Sequence, residues 1–206
     1  DTRRVNFTVN NVNDPPVLAK IPNLAATEYK ELRYQAKATD PDLKWGDVLT
    51  FSDNTDLFDI DAKTCEFFFT PVEEQVGKHN VKVTVTDAAG AADTCPFTIT
   101  VANVNDPPTL DPIPPQFALQ GKLFQLKVVA TDPDLKSDPT EKLRFSDDSP
   151  LFNINNDTGM ISFTPTNDQV GVWKCNITVT DRGGLSSTTP LTITVMSAND
   201  PPYIAA

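Results

Sequence analysis

The sequence has few of the side chains on which most enzymes depend. Its 206 residues include one histidine and three cysteines, so most pairings of a nucleophile with a general base lack their parts. No apolar run approaches the roughly 20 residues that a helix needs to cross a membrane. Lysine and arginine are also scarce. The chain has 17 of them and 28 acidic residues, which gives a net charge of −11. This balance disfavours nucleic acid and membrane surfaces as partners. A non-enzymatic protein is expected.

The chain begins with neither an initiator methionine nor a signal peptide, which indicates a piece of a longer protein. Its hydrophobic content of 39% is a little below the globular average but well patterned, so disorder is not expected.

What the sequence does contain is an internal repeat. The segment Asn-Val-Asn-Asp-Pro-Pro at 11–16 recurs at 103–108, and Ser-Ala-Asn-Asp-Pro-Pro follows at 197–202. A repeat of this length indicates tandem modules. The predicted organisation is the last strand of a preceding module at 1–10, a linker at 11–16, module 1 at 17–102, a linker at 103–108, module 2 at 109–196 and a linker to a following module at 197–206.

Each module is predicted to be all-β. Val81, Val83 and Val85 alternate with polar residues, and residues 173–179 repeat the pattern in the second copy. Such alternation is typical of an antiparallel sheet covered on one face. Seven short strands in about 90 residues indicate a Greek-key β-sandwich, here two of them stacked end to end. In module 1 the strands are predicted near 17–28, 32–39, 48–53, 57–61, 66–70, 79–87 and 95–102.

Acidic and amide side chains fall in the loops between these strands. Counting alternating strand directions places some of these loops of each module beside the linker at 103–108. The candidate metal ligands at this central junction are Glu28, Glu74, Asn103, Asn105, Asp106, Asp132, Asp134 and Asp181. The candidates at the N-terminal junction are Asn11, Asn13, Asp14, Asp40, Asp42 and Asp87. Carboxylate and amide oxygens suit Ca²⁺, whereas Zn²⁺ would want histidine or cysteine.

These motifs resemble those of cadherin repeats. The similarity covers both modules and lies in the Asn-x-Asn-Asp-Pro-Pro linkers, in Ala-Thr-Asp-Pro-Asp at 38–42 and 130–134, and in the later Val-Thr-Asp. Phe-Thr-Pro, at 69–71 in the first copy, is closer to dystroglycan-type and microbial cadherin-like modules. In cadherins the acidic motifs bind Ca²⁺ between domains, so the resemblance implies Ca²⁺ at the residues named above. Asn103 departs from it, because the family usually has Asp there.

Several other interpretations stay open. Asp and Asn also favour turns without any metal. Cys65 and Cys95 are predicted either to form a disulfide or to remain two thiols, and Cys175 is predicted to be a buried thiol. The C-terminal junction is expected to hold no ion, because Gln120 replaces Glu28. The strand at 1–10 is expected to pair with a sheet edge of another molecule.

The leading functional hypothesis is a fragment of an extracellular or cell-surface protein. Its cadherin-like modules would be made rigid by Ca²⁺ and would serve cell adhesion or act as a stalk. Its partners would be neighbouring modules of the same chain, with a homophilic, cell-surface protein or glycan ligand also open. The alternatives are a metal-free spacer and an accessory module of a secreted carbohydrate-active enzyme.

Overall fold

A computed structural model describes residues 3–7 and 10–198 of the chain. These residues fold into two units that divide between Val104 and Asn105. Each unit has its own apolar core and is all-β, with short 3₁₀ turns at Pro41–Trp45, Glu73–Gln75, Pro133–Leu135 and Asn167–Gln169. Within the described ranges, no helix is long and apolar enough to span a bilayer.

The first unit has eight strands in a sandwich. They are β1 (Val17–Leu18), β2 (Leu24–Thr27), β3 (Leu32–Gln35), β4 (Ala38–Thr39), β5 (Thr50–Asp53), β6 (Glu66–Phe69), β7 (Gly77–Thr86) and β8 (Ala92–Ala102). One layer is the sheet β2-β8-β7-β5, and the other consists of the pairs β1-β4 and β3-β6. The predicted alternation is confirmed in β7, where Val81, Val83 and Val85 are buried.

The second unit repeats this arrangement strand for strand. Its strands are β9 (Thr109–Leu110), β10 (Gln116–Leu119), β11 (Phe124–Lys127), β12 (Ala130–Thr131), β13 (Arg144–Asp147), β14 (Met160–Phe163), β15 (Gly171–Thr180) and β16 (Ser186–Met196). The four-stranded sheet is β10-β16-β15-β13, with β9-β12 and β11-β14 as the pairs.

The predicted first strand, 17–28, is two strands in different sheets. β1 pairs antiparallel with β4, whereas β2 runs parallel to β8. Pro22 lies between them, and because it has no N–H it cannot continue a ladder. The chain therefore changes sheets at this point, and the sandwich contains a parallel pair that the sequence pattern did not predict.

The predicted strand at 57–61 is wrong. This segment is a loop without any strand partner, in which Phe58 is buried and Leu57 and Ile60 pack, partly buried, against the core. Asp53 organises the loop, because its carboxylate accepts hydrogen bonds from the backbone N–H groups of Thr55 and Ile60, both at 3.0 Å. Phe58 stacks on Phe67 at 4.1 Å between ring centroids. The apolar residues of this segment thus serve burial in the core and not sheet pairing.

Residues 3–7 form no strand, and the side chain of Phe7 is 88% exposed. Thr8 and Val9, which belong to the predicted strand at 1–10, lie outside the described residues, so its pairing with another molecule stays a prediction. The three cysteines are free thiols; Cys65 and Cys95 are buried, whereas Cys175, predicted to be buried, is half-buried.

Candidate metal centres

Every buried polar or charged side chain in the described part of the chain is an acid. They are Glu28, Asp40, Asp42, Asp87, Asp132, Asp134, Glu141 and Asp181. A carboxylate removed from water is costly unless a cation or several hydrogen bonds compensate it. All but Glu141 are residues that the sequence predicted as metal ligands.

The Asp-Pro-Asp motif of the first unit builds its own local structure. Asp40 caps the 3₁₀ turn Pro41–Trp45, because its Oδ1 accepts a hydrogen bond from the backbone N–H of Asp42 at 2.7 Å. Pro41 favours this turn because its φ is already fixed near the required value. The capped turn places both carboxylates in one buried cluster.

The linker of the first unit contacts this cluster through its amide groups. Asn11 Nδ2 donates to Asp42 Oδ1 at 2.7 Å, and Asn13 Nδ2 donates to Asp87 Oδ2 at 2.8 Å. The backbone N–H of Asp14 donates to the second oxygen of Asp42 at 2.7 Å. The hydrogen bonds from Asp14 and then Asn11 lower the pKa of Asp42, and that from Asn13 lowers the pKa of Asp87. Both carboxylates are therefore held ionised.

The loop that carries Asp40 and Asp42 also adds Asp47, which the sequence prediction did not include. Its Oδ1 accepts hydrogen bonds from the backbone N–H groups of Val48 at 2.7 Å and Ala88 at 3.1 Å. One carboxylate oxygen each from Asp40, Asp47 and Asp87 lies within 4.8 Å of the other two. Three oxygens at such separations fit around one ion that binds its ligands at 2.3–2.6 Å, which is the range of Ca²⁺.

The second unit repeats these hydrogen bonds with the equivalent residues. Asp132 Oδ1 caps the turn by accepting from the N–H of Asp134 at 2.9 Å, and the N–H of Asp106 donates to Asp134 at 2.8 Å. Asn105 Nδ2 donates to Asp181 at 2.8 Å. Glu141 takes the place of Asp47. Its Oε1 accepts hydrogen bonds from the backbone N–H groups of Lys142 at 2.8 Å and Arg182 at 2.9 Å.

The electrostatics of this second cluster favour a cation. Burial raises the pKa of Asp132, and repulsion from Asp134, Glu141 and Asp181 raises it further. No lysine or arginine forms a salt bridge with Asp132 in the described part of the chain; the salt bridges there join Arg33 and Arg144 to acids at the surface. A divalent ion would relieve this repulsion.

Glu28 lies at the other end of the first unit. It is fully buried, and its Oε2 accepts a hydrogen bond from the backbone N–H of Val104 at 3.2 Å. One of its oxygens lies within 4.8 Å of an oxygen of Glu73. Gln120 takes the place of Glu28 in the second unit and accepts from the N–H of Ala198 at 3.3 Å. An acid in the first unit is thus a neutral amide in the second, which leaves that end of the second unit poorer in cation ligands.

The fit to a hard cation rests on the buried oxygens that hydrogen bonds do not reach. Asp40 Oδ2, Asp47 Oδ2, Asp132 Oδ2 and Glu28 Oε1 are buried and accept no hydrogen bond within the described residues. Each lies in a cluster whose other members are oxygen donors. The donor set therefore fits Ca²⁺.

Not every predicted ligand lies in these clusters. Glu74 is exposed, while both carboxylate oxygens of its neighbour Glu73 are buried. Asn103 is also exposed, so the roles of Glu74 and Asn103 stay predictions. Asn199 and Asp200 of the last linker lie outside the described residues.

The sequence carried a weak signal for Asp47 and Glu141. Each stands two residues before a leucine that opens the next strand region, Leu49 in the first unit and Leu143 in the second. The two acids differ in type and follow loops that differ by two residues in length, so the repeat comparison did not align them.

Comparison with known proteins agrees with this architecture. Residues 15–102 and 107–196 each match the family described as "Putative Ig domain". No curated protein sequence matches the chain. Among solved structures, mouse cadherin-23 EC22-24 superposes with a TM-score of 0.62 and 18% identity, over 89% of this chain and 65% of that one.

A protocadherin gammaB4 extracellular domain superposes with a TM-score of 0.57 and 22% identity, over 89% of this chain and 35% of that one. The chain therefore spans less than two thirds of each of these structures, and at these identities the likeness concerns the fold. With the family match over both units, the chain is a tandem pair of cadherin-like, immunoglobulin-like modules and belongs to the "Putative Ig domain" family.

Proposed function

We propose that this chain is a non-enzymatic adhesive or structural segment of an extracellular or cell-surface protein, and that Ca²⁺ binds at its acidic clusters. The observation that carries the proposal is the repeated set of buried carboxylates. Asp40 and Asp132 occupy equivalent positions, and each keeps one buried oxygen that accepts no hydrogen bond. A fold with no use for a cation would gain stability by replacing such groups with neutral ones.

The residues that would hold the ion come from each module and the linker before it. In the first unit they are Asn11, Asn13, Asp14, Asp40, Asp42, Asp47 and Asp87; in the second, Asn105, Asp106, Asp132, Asp134, Glu141 and Asp181. When bound, Ca²⁺ would neutralise these carboxylates and tie the linker to the loops. Glu28 and Glu74 are proposed to contribute at the linker that follows the first module. Ca²⁺ would then limit the motion of the linkers, which suits a stalk or an adhesive ectodomain.

The single experiment that tests this is a calorimetric titration of Ca²⁺ into the chelator-treated chain, with thermal unfolding followed in parallel. Extracellular modules bind Ca²⁺ with dissociation constants of about 10⁻⁴ to 10⁻³ M, and at least one ion per cluster is expected. Asp40→Asn and Asp132→Asn should each remove about one ion. Asp59→Asn is the matched control, because Asp59 is exposed and the second unit has Asn153 there. Absence of binding heat, together with equal thermal stability in Ca²⁺ and chelator, would refute the metal function.

A metal-free spacer is the second candidate, and one observation favours it. The side-chain amides of Asn13 and Asn105 already donate to Asp87 and Asp181, both at 2.8 Å. These bonds hold each linker without a metal, and the Pro-Pro pairs add stiffness. The same titration separates the two candidates, because the spacer would show neither binding heat nor a shift in stability.

A further inference from the structure

Four of the seven basic residues of the second unit line two connected grooves. Its lysines and arginines are Lys122, Lys127, Lys136, Lys142, Arg144, Lys174 and Arg182. Two adjoining grooves of about 600 and 520 Å³ share Lys142 and Arg144; Lys127 lines the first groove and Arg182 the second. All four side chains are exposed. We call the two grooves together the basic groove, and it is a local positive site on a chain of net charge −11.

The backbone beneath this groove is fixed by a single carboxylate. Glu141 Oε1 accepts hydrogen bonds from the backbone N–H groups of both Lys142 and Arg182, at 2.8 and 2.9 Å. Two segments that are 40 residues apart in sequence are thereby held side by side. Their cationic side chains consequently line the same surface without any movement of the chain.

The side chains of the groove are also partly held in place. Arg144 contacts Asn156 Oδ1 at 3.2 Å and pairs with Asp157, the acid that lines the groove. The guanidinium of Arg182 donates to Thr140 Oγ1. Such anchoring lowers the entropy that is lost when a ligand binds.

The floor of the basic groove is aliphatic. Val129 and Leu135 are 45% and 47% exposed and line the larger groove together with Leu143. Phe145 is the aromatic residue of this lining, and it is 7% exposed. A ligand that fits must therefore offer anionic groups and an aliphatic side chain at the same time.

The first unit shows that the fold does not require these charges. The residues equivalent to Lys127, Lys142, Arg144 and Arg182 are Gln35, Val48, Thr50 and Ala88, and none of them is charged. Asp47 holds the same two backbone N–H groups there, those of Val48 and Ala88. One scaffold thus presents a largely apolar groove in the first unit, with Lys37 and Lys63 as its only basic lining residues, and a groove with four basic residues in the second.

We propose that the basic groove binds an extended acidic segment of a partner protein. The carboxylates of that segment would pair with Arg144, Arg182 and Lys142, and one of its aliphatic side chains would pack on Val129 and Leu135. Arginine suits this role because its planar fork binds carboxylates through two hydrogen bonds. The overall negative charge of the chain disfavours long polyanions, whereas a short segment meets only the local positive charge. A sugar ring would need an exposed aromatic face, which this lining does not offer.

The test uses a fluorescein-labelled hexapeptide of sequence E-L-E-E-L-E and measures its fluorescence anisotropy with the whole chain. Lys142→Val, Arg144→Thr and Arg182→Ala each introduce the residue that the first unit tolerates at that position. The triple variant is expected to lose affinity by about tenfold or more, since charged contacts dominate such a site. Val48→Lys with Thr50→Arg and Ala88→Arg should build a second site in the first unit and double the stoichiometry. Lys174→Asn is the matched control outside the groove, because the first unit has Asn80 there.

Three results would overturn the proposal. The first is a wild-type chain that fails to bind the peptide at about 1 mM, where even weak complexes are populated. The second is a triple variant that binds the peptide as tightly as the wild type does. The third is displacement of the peptide by a sulfated polysaccharide that binds the same residues more tightly, which would assign the groove to glycans. Because peptide binding is measured in chelator, its outcome does not depend on Ca²⁺ binding at the acidic clusters.

Discussion

At the scale of single residues, Asp47 and Glu141 show that position can matter more than residue type. One oxygen of each carboxylate accepts hydrogen bonds from two backbone N–H groups on neighbouring loops. The second oxygen of Asp47 is buried and accepts no hydrogen bond. An amide substitution removes the negative charge of the side chain but keeps its shape. It therefore tests the role of the carboxylate in ion binding separately from its role in loop structure.

Asp47→Asn is expected to weaken Ca²⁺ binding in the first unit by about fivefold or more, because the affinity of such sites rises with the number of charged ligands. Glu141→Gln should do the same in the second unit. Calorimetry gives the affinities, and thermal unfolding in chelator reports the folding of the variants. The Asp59→Asn chain should bind as the wild type does. An unchanged affinity in both variants would mean that these carboxylates serve only to join the loops.

Cys65 is a second residue whose behaviour follows from its surroundings. It is 1% exposed, and burial raises the pKa of its thiol to about 11. The native thiol is therefore protonated at pH 8 and should resist iodoacetamide, whereas the unfolded chain should react at all three cysteines. Mass spectrometry of the alkylated peptides measures this. Alkylation of Cys65 in the native chain at the rate of a free thiol would contradict the burial.

The raised pKa of Cys65 also makes the stability of the folded chain depend on pH. The folded state favours the protonated thiol, so the stabilisation is complete below the pKa of the unfolded thiol, which is 9.0. It is lost as the pH rises from there to about 11, because the unfolded chain then releases its proton first.

At the scale of structural elements, the loop between β5 and β6 replaces a predicted strand with a set of core anchors. Phe58 is 8% exposed and stacks on Phe67. Phe58→Ala should lower the free energy of unfolding of the first unit by about 3–4 kcal/mol, as is usual for a buried phenylalanine. Urea unfolding followed by circular dichroism measures it. Phe68→Ala is the control, since Phe68 is 55% exposed, and an equal loss there would contradict the anchoring role.

The elements also show what sequence patterns can and cannot predict. Alternation predicted β7 well, because its inward face packs on the core along its second half. The strand predicted at 57–61 was wrong, because a loop with buried apolar anchors can carry the same short apolar run as a strand. The left-handed backbone of Cys65, with a φ of 58°, was equally hidden. Gly159 holds the equivalent position in the second unit with a φ of 65°. Only the comparison of Cys65 with Gly159 indicates a turn that requires a left-handed residue.

For the acidic clusters, the repeat was more informative than either module alone. Equivalent spacing identified six of the eight buried acids, since Asp-Pro-Asp and Val-Thr-Asp recur unchanged, whereas Glu28 was predicted from strand direction and the resemblance to cadherins. Glu141 was missed, because the repeat comparison relied on identical residues. Burial and hydrogen bonding of the carboxylates depend on how three loops converge, and this convergence cannot be read from local spacing.

At the scale of the whole molecule, the two modules have the same framework but different surfaces. The acidic clusters recur, whereas the basic groove occurs in the second unit and the buried Glu28 in the first. The repeat thus keeps the acidic residues proposed to bind Ca²⁺ in both units. The proposed partner site, the basic groove, belongs to the second unit alone. The linker at 103–108 connects these surfaces, so its stiffness governs how they are presented.

The last prediction concerns that linker in solution. Its Asn105 and Asp106 are hydrogen-bonded to Asp181 and Asp134 of the second unit, and Ca²⁺ at this cluster would restrict the linker further. Small-angle X-ray scattering should therefore give a narrower distribution of distances in Ca²⁺ than in chelator, whereas the Asp134→Asn chain should resemble the chelated state in both. The Asp59→Asn chain should respond as the wild type does. If scattering is identical in both conditions for a chain that calorimetry shows to be loaded, then the prolines set the stiffness and the ion has another role.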